Sequence, residues 1–431
     1  MLISPESLFK DGLLNESDLN VCMLPETGQV DFEKTEEMKQ RLLNKAYQLF
    51  KSSKDENLVN EYNLFCKTEQ NWLTDFSVYS RIKRYYGGKE WFNWPEKFKL
   101  KDNQTIIDFE KSNQAEIEEI KWNQFIFYRQ WYRLKEYANA KGIAMIGDRP
   151  FYLDYGSVEV WTHRENFLLD KNGNRTEVAA VPPDYFNEKG QLWGMPIYNW
   201  EKMKKDGFKW WGNRLKKSQQ IYDLIRLDHF RAFSTYWQVA AGNDDAVEGR
   251  WKPGVGTTFF KSMKRKLGKL PFIAEDLGEI TTDVEQLRKR FRLPGMKVLQ
   301  FAFGEDLAGS VHIPHQFDSP DFIVYTGTHD NNTSLGWFKN ETDANLKKRL
   351  SKYVGTEVNE NNINSILIRL CYASIAKIAI IPIQDILHLD ETARMNIPGK
   401  ATGNWAWRAD KEFIGEKTIT WLKAETERYG R

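Results

Sequence analysis

Four acids stand where short apolar runs end. Asp148 follows the run 143–146, Asp228 closes Asp223-Leu-Ile-Arg-Leu-Asp228, Glu275 closes Pro271-Phe-Ile-Ala-Glu275, and Asp330 follows shortly after Phe322-Ile-Val-Tyr-Thr326. Taken singly, each carboxylate serves as well for a helix cap or a surface residue; their joint placement is what points to chemistry. Breaking an acetal bond needs one carboxyl to protonate the departing oxygen and a second to meet the developing positive charge from the opposite face of the sugar. Two acids on neighbouring strands supply such a pair. Arg226 precedes Asp228 by two residues, so on a strand both side chains point the same way. That cation favours an ionised carboxylate, as a nucleophile requires. Glu275 has no such cation beside it in sequence, and a drier setting would let it hold a proton longer, the asymmetry an acid/base pair uses. Thr328-His329-Asp330-Asn331 adds an imidazole donor and a third carboxylate suited to gripping sugar hydroxyls.

Other chemistries find little support. The six His, including His312 and His315, are scattered without ligand spacing, and neither a G-x-x-x-x-G-K-[ST] nor a G-x-G-x-x-G run is present. Neither a metal nor a cofactor is expected. Cys22, Cys66 and Cys371 are the only cysteines, too widely spaced for a disulfide framework or a zinc site. With 62 basic and 60 acidic residues the net charge is +2, and no long run of one sign marks a nucleic acid or anionic membrane as partner. The first residues, Met-Leu-Ile-Ser-Pro-Glu, lack a basic and an apolar signal region, and no apolar run approaches a membrane span. A cytoplasmic protein is expected.

The elements that must position the acids repeat a simple unit. From about 30 to 140 the pattern is helical and charged, ending in a stripe of Phe127, Trp131, Leu134 and Ala138 that Gly142 closes. Helices are predicted around 208–222 and 256–267, and Thr282 with Glu285 forms a capping box for the helix after Glu275. The runs at 296–302, 322–326 and 378–383 bring the predicted strands to six. Apolar strands alternating with helices indicate a (β/α) barrel or a doubly wound sheet. Acids at several strand ends favour the barrel, whose active site gathers residues from many strand termini at one mouth. A closed barrel of this type needs eight strands.

The stretch from about 149 to 207 is rich in Pro, Gly, Asp and aromatics, and a connection of that size reads as a lid over an extended substrate. The chain carries 16 Trp, 18 Tyr and 26 Phe, many beside polar residues. Such residues suit sugar faces edged by hydroxyls, and a large aromatic core explains them equally well.

Several motifs occur together and in order. They are Ile146-Gly-Asp-Arg-Pro-Phe151, Val160-Trp161, Val181-Pro-Pro-Asp-Tyr-Phe186, Gly190-Gln-Leu-Trp-Gly194, Arg226-Leu-Asp-His-Phe-Arg231, Ala274-Glu-Asp-Leu-Gly278, Leu293-Pro-Gly-Met296, Thr328-His-Asp-Asn331 and Ala393-Arg-Met-Asn396. Over essentially its whole length the sequence resembles the amylomaltases, 4-α-glucanotransferases of glycoside hydrolase family 77. The resemblance implies an α/β (β/α)8 TIM barrel acting on α-1,4-glucans and malto-oligosaccharides, with glucose as an acceptor and no cofactor. It implies a retaining double displacement with Asp228 as nucleophile, Glu275 as acid/base and Asp330 stabilising the distorted sugar. Asp148, Arg226 and His329 match supporting positions of the donor subsite, Tyr185 and Phe186 match the lid, and Asn404 and Trp405 match the rim of the mouth.

By the same resemblance, residues 1–140 form a mainly helical insertion subdomain, and 141–431 hold barrel strands three to eight with the lid insertion at about 149–207. Family members carry a further segment ahead of the one that Leu2-Ile-Ser-Pro5 resembles, and it holds the first two strands. The count of six agrees with this, so the expectation is a chain lacking those strands. Two alternatives accompany the transferase reading: a truncated fragment that is inactive or only binds glucan, and an α-glucan hydrolase that uses the same acids.

Overall fold

All six apolar runs contribute strands in the computed structural model, which describes residues 2–21, 27–183, 187–409 and 414–431. The strands, in chain order, are β1 (Ile146–Arg149), β2 (Glu177–Val181), β3 (Gln191–Pro196), β4 (Leu224–Leu227), β5 (Thr235–Ala240), β6 (Gly249–Pro253), β7 (Phe272–Ala274), β8 (Gly295–Val298), β9 (Phe322–Tyr325) and β10 (Ile378–Ile380). The first run enters its strand late: β1 starts at Ile146, and Ile143 ahead of it is 58% exposed. The chain divides into two compact units, one comprising Met1–Met23, Glu37–Glu275 and Ile280–Phe291, the other Leu24–Glu36, Asp276–Glu279 and Arg292–Arg431.

In the first unit β1, β4 and β7 form a parallel sheet in the order β1-β4-β7. Its register sets Asp148 opposite Arg226, Arg226 opposite Ile273 and Leu227 opposite Ala274. The helices Lys209–Ile221 and Gly256–Leu267 connect in the expected places. Ile225, Leu227, Phe272, Ile273 and Ala274 are buried, as strands covered on both faces require. The long stretch after β1 holds more than a loop. Its β2 and β3 join β5 and β6 in an antiparallel sheet of order β3-β2-β5-β6, and the β5–β6 hairpin was not expected from the sequence.

Two local expectations are corrected. The helix Gln114–Ala140 buries Trp122, Phe125 and Ile126 in a core shared with Leu42, Ala46 and Phe50, and it also buries Ile117, Ile120 and Ala138, whereas Leu134 is 52% exposed. Of the Phe127–Ala138 stripe, Phe127 packs against that core and Ala138 is buried, so the departure from expectation is at Leu134. The helix Thr282–Arg290 takes Thr281 as its N-cap, with no side-chain cap bond, so Thr282 is already helical and cannot close a capping box. The carboxylate of Asp283 instead accepts from the Ser234 hydroxyl.

In the second unit β8, β9 and β10 form a parallel sheet of order β10-β9-β8. All four residues of the central strand β9 are buried. Leu299, Phe303, Trp337, Phe338, Leu367 and Cys371 pack into the surrounding core. Aromatic mass across the chain goes largely to cores: Trp91, Trp122, Trp161 and Trp211 are fully buried, while Trp251, Phe301 and Trp405 are exposed. Cys66 and Cys371 are free thiols, and Cys22 lies outside the described residues. No helix among the described residues is long and apolar enough to cross a membrane.

Candidate active site

The ends of three neighbouring parallel strands bring Asp148, Arg226, Asp228 and Glu275 together. Because Arg226 pairs with Asp148 across the β1–β4 register, its guanidinium forks onto that carboxylate, with Nε 2.9 Å from Oδ1 and Nη2 2.6 Å from Oδ2. The same Nη2 lies 3.1 Å from Asp228 Oδ1. Burial works against the charge of Arg226, but its hydrogen bond to Asp148 and the charges of Asp148, Asp228 and Glu275 outweigh it and hold the guanidinium protonated. The Arg226 side chain is 11% exposed, and the two carboxylates it joins are about 40% exposed.

Glu275 is half-buried directly after β7. Its backbone N–H donates to Leu227 O at 3.1 Å and its Oε2 accepts the His229 N–H at 2.8 Å. His229 reaches it with a left-handed backbone, φ 46°, uncommon outside glycine. Burial and the nearby Arg231 push the His229 pKa down to about 4, so the ring is neutral at pH 7. It packs against Trp193 of β3, ring centroids 4.8 Å apart. The sequence shows no cation beside Glu275; the structure adds this backbone donor, which no spacing in the sequence announced.

In the second unit, Asp330 lies on the loop between β9 and the helix Ser334–Asn340. Asn396 Nδ2 donates to its Oδ1 at 2.6 Å, Arg394 Nη2 donates to its backbone O at 2.9 Å, and His329 Nε2 lies 3.4 Å from Oδ2. Arg394 and Asn396 belong to the quoted Ala393-Arg-Met-Asn396 motif, yet neither was singled out, because nothing local marks a contact across 66 residues of sequence. Trp405, φ 60° and 51% exposed, sets its ring 5.3 Å from that of His329. Asn404 is committed to its own loop: Oδ1 accepts from Ile397 N–H and Nδ2 donates to Lys400 O. Tyr185 and Phe186 lie outside the described residues. Among the described residues no group of three or more His, Cys, Asp or Glu is arranged to hold a metal ion.

Two carboxylates at the ends of neighbouring strands, Asp228 after β4 and Glu275 after β7, are the kind of pair that glycosyl transfer uses. The family model described as 4-alpha-glucanotransferase, glycoside hydrolase family 77, matches residues 1–412. The chain belongs to the 4-alpha-glucanotransferase family. It is 39% identical to the 4-alpha-glucanotransferase of Synechocystis sp. over 100% of this chain and 85% of the relative. The 4-alpha-glucanotransferase of Aquifex aeolicus is 40% identical over 100% of this chain and 86% of that protein. Among solved structures, the amylomaltase from Streptococcus agalactiae in complex with acarbose superposes with a TM-score of 0.94 at 36% identity, covering 100% of this chain and 86% of the other. The fold is thus the family's (β/α) barrel architecture.

Proposed function

We propose that the protein is a 4-α-glucanotransferase that moves α-1,4-glucan segments to the 4-OH of an acceptor glucan or of glucose by a retaining double displacement. Asp228 attacks the anomeric carbon while Glu275 gives its proton to the departing glycosidic oxygen. The C–O bond to the leaving chain breaks, an ester to Asp228 forms, and the shortened chain departs with Glu275 now ionised. An acceptor 4-OH then attacks the same carbon, Glu275 takes its proton, and Asp228 is released as carboxylate. Asp330 stabilises the positively charged, distorted sugar, with His329 beside it to donate a ring N–H to a sugar hydroxyl. Tyr185 and Phe186, assigned to the lid on family resemblance, exclude water so that a sugar acceptor wins over hydrolysis. Trp405 offers an exposed aromatic face for a sugar ring. Asn404 acts by shaping the loop on which Trp405 sits.

The observation that carries the reading is the Arg226 fork. It keeps a cation 3.1 Å from Asp228 and braces that cation with Asp148, beside a second acid on the next strand. Maltotriose alone tests the reading: glucose together with longer oligosaccharides is expected, and glucose and maltose released by hydrolysis with no longer product would refute transfer. The division of labour has its own test. Asp228→Asn and Glu275→Gln should each cost about 10³-fold or more on maltotriose. An α-maltosyl fluoride donor, whose leaving group needs no proton, should restore glycosyl-enzyme formation in Glu275→Gln alone.

A further inference from the structure

Asp385 is 2% exposed, and its carboxylate joins two places far apart in sequence. Oδ2 accepts from the Thr326 hydroxyl at 2.5 Å and from the Ser334 hydroxyl at 2.6 Å, while Oδ1 accepts the Ser334 N–H at 2.7 Å. Both partners are fully buried. Thr326 is the residue directly after β9 and Ser334 is the first residue of the following helix, so the two bracket the loop that carries His329 and Asp330. The backbone O of Asp385 is itself tied down by Asn364 Nδ2 at 2.9 Å.

Enclosing a carboxylate is costly, and an apolar side chain of similar volume usually stabilises a fold as well or better. The group therefore calls for a reason other than stability. Inside the loop, Thr328 donates both N–H and hydroxyl to Asn331 Oδ1, and Gln300 Nε2 donates to Asn332 O. These contacts give the loop its internal shape. The Asp385 carboxylate sets where that shape begins and ends, and Asn396 and Arg394 hold Asp330 from outside it.

We propose that Asp385 is a positioning residue for the transferase reaction, stapling the two ends of the Asp330 loop so that the Asp330 carboxylate is placed for the transition state. The inference rests on the assignment of Asp330 made above. A displacement of about 1 Å in a group that acts at the transition state costs about 100-fold in rate, whereas ground-state binding along a glucan spreads over many contacts.

The test uses maltotriose disproportionation, with rates normalised to folded protein measured by circular dichroism and gel filtration. Asp385→Ala should lower kcat about 10- to 100-fold while KM moves less than about threefold. Asp385→Asn should recover to within about threefold of the parent. Its amide oxygen still accepts the Ser334 N–H, and its NH2 donates to the two hydroxyls, which can reverse roles. If Asp385→Ala does not fold, Thr326→Val, which removes one arm of the staple at constant volume, carries the test with an expected kcat loss of about three- to tenfold at unchanged KM.

A kcat within twofold of the parent in the folded Ala or Val variant overturns the proposal. So does an Asp385→Asn variant as slow as Asp385→Ala, because hydrogen bonding would then not be the operative feature. Asp330→Asn is run alongside. If it keeps its activity, the assignment of Asp330 falls; if it is inactive while the Asp385 and Thr326 variants are normal, the positioning role alone falls.

Discussion

Replacing Arg226 by lysine keeps the charge and removes the fork, which makes it the sharpest probe of the strand-end acids. The guanidinium makes three contacts at once, 2.9 and 2.6 Å to Asp148 and 3.1 Å to Asp228. An ammonium is a point donor and cannot span both carboxylates in that geometry. At least one charge-assisted hydrogen bond is lost, worth about 1.5–3 kcal/mol in protected settings. Because both carboxylates are about 40% exposed, water replaces part of it, and the lower end applies. A loss of about 1.5 kcal/mol at the transition state is roughly tenfold in kcat/KM. Arg226→Ala removes the cation altogether; breaking a buried ion pair costs about 3–5 kcal/mol, reduced here by exposure to about 3, or roughly 100-fold. The assay is kcat/KM for maltotriose disproportionation across Arg226→Lys, Arg226→Ala, Asp148→Asn and the Arg226→Ala/Asp148→Asn pair. If Asp148 acts only by bracing Arg226, the double variant is no worse than Arg226→Ala, a coupling of at least about 1 kcal/mol. Arg226→Lys within twofold of the parent, or single effects that add, would refute the reasoning.

Three further outcomes are expected. Burial and the neighbouring Lys297 push the His312 pKa down to about 4, and its Nδ1 accepts the Val298 N–H at 3.2 Å, which requires the neutral ring. The unfolded chain takes up this proton near pH 6.5 and the folded protein does not, so stability is full above that pH and falls as pH drops from about 6.5 to 4; thermal unfolding from pH 7.5 to 4.5 should show a shallower decline in His312→Gln. A Cβ on Gly147 would sit 2.1 Å from the Tyr222 ring, on the strand that presents Asp148, so Gly147→Ala should destabilise by about 1–3 kcal/mol in urea unfolding. Asn396→Ala removes the 2.6 Å donor to Asp330, and steady-state kinetics should show kcat down about 5- to 30-fold with a smaller change in KM.

The fold was legible where the signal is local. Apolar runs bounded by turns, with helices between them, announce buried parallel strands because a strand covered on both faces leaves no room for polar residues, and β4, β7, β8, β9 and β10 lie in the runs read as strands. Legibility was poorer where burial depends on what packs opposite. Leu134 carries the right spacing for a helix stripe and is exposed, and the β5–β6 hairpin gains its place only by pairing with β2. Aromatic residues were ambiguous for the same reason, since Trp211 and Trp405 differ in what surrounds them and not in type.

The strand-end acids were likewise local. Arg226 and Asp228, two apart on one strand, share a side by strand geometry alone, and they do meet. Sequence alone therefore determined that Asp148, Asp228 and Glu275 stand at the ends of strands. Tertiary structure decided what holds them. Asp148 reaches Arg226 across 78 residues through strand register, Asn396 reaches Asp330 across 66, and Asp385 reaches Thr326 across 59. Spacing along a chain encodes directions within one element; a hydrogen bond between distant elements exists only after they have packed, and the lengths of the loops between them leave no trace of which donors will meet which carboxylates.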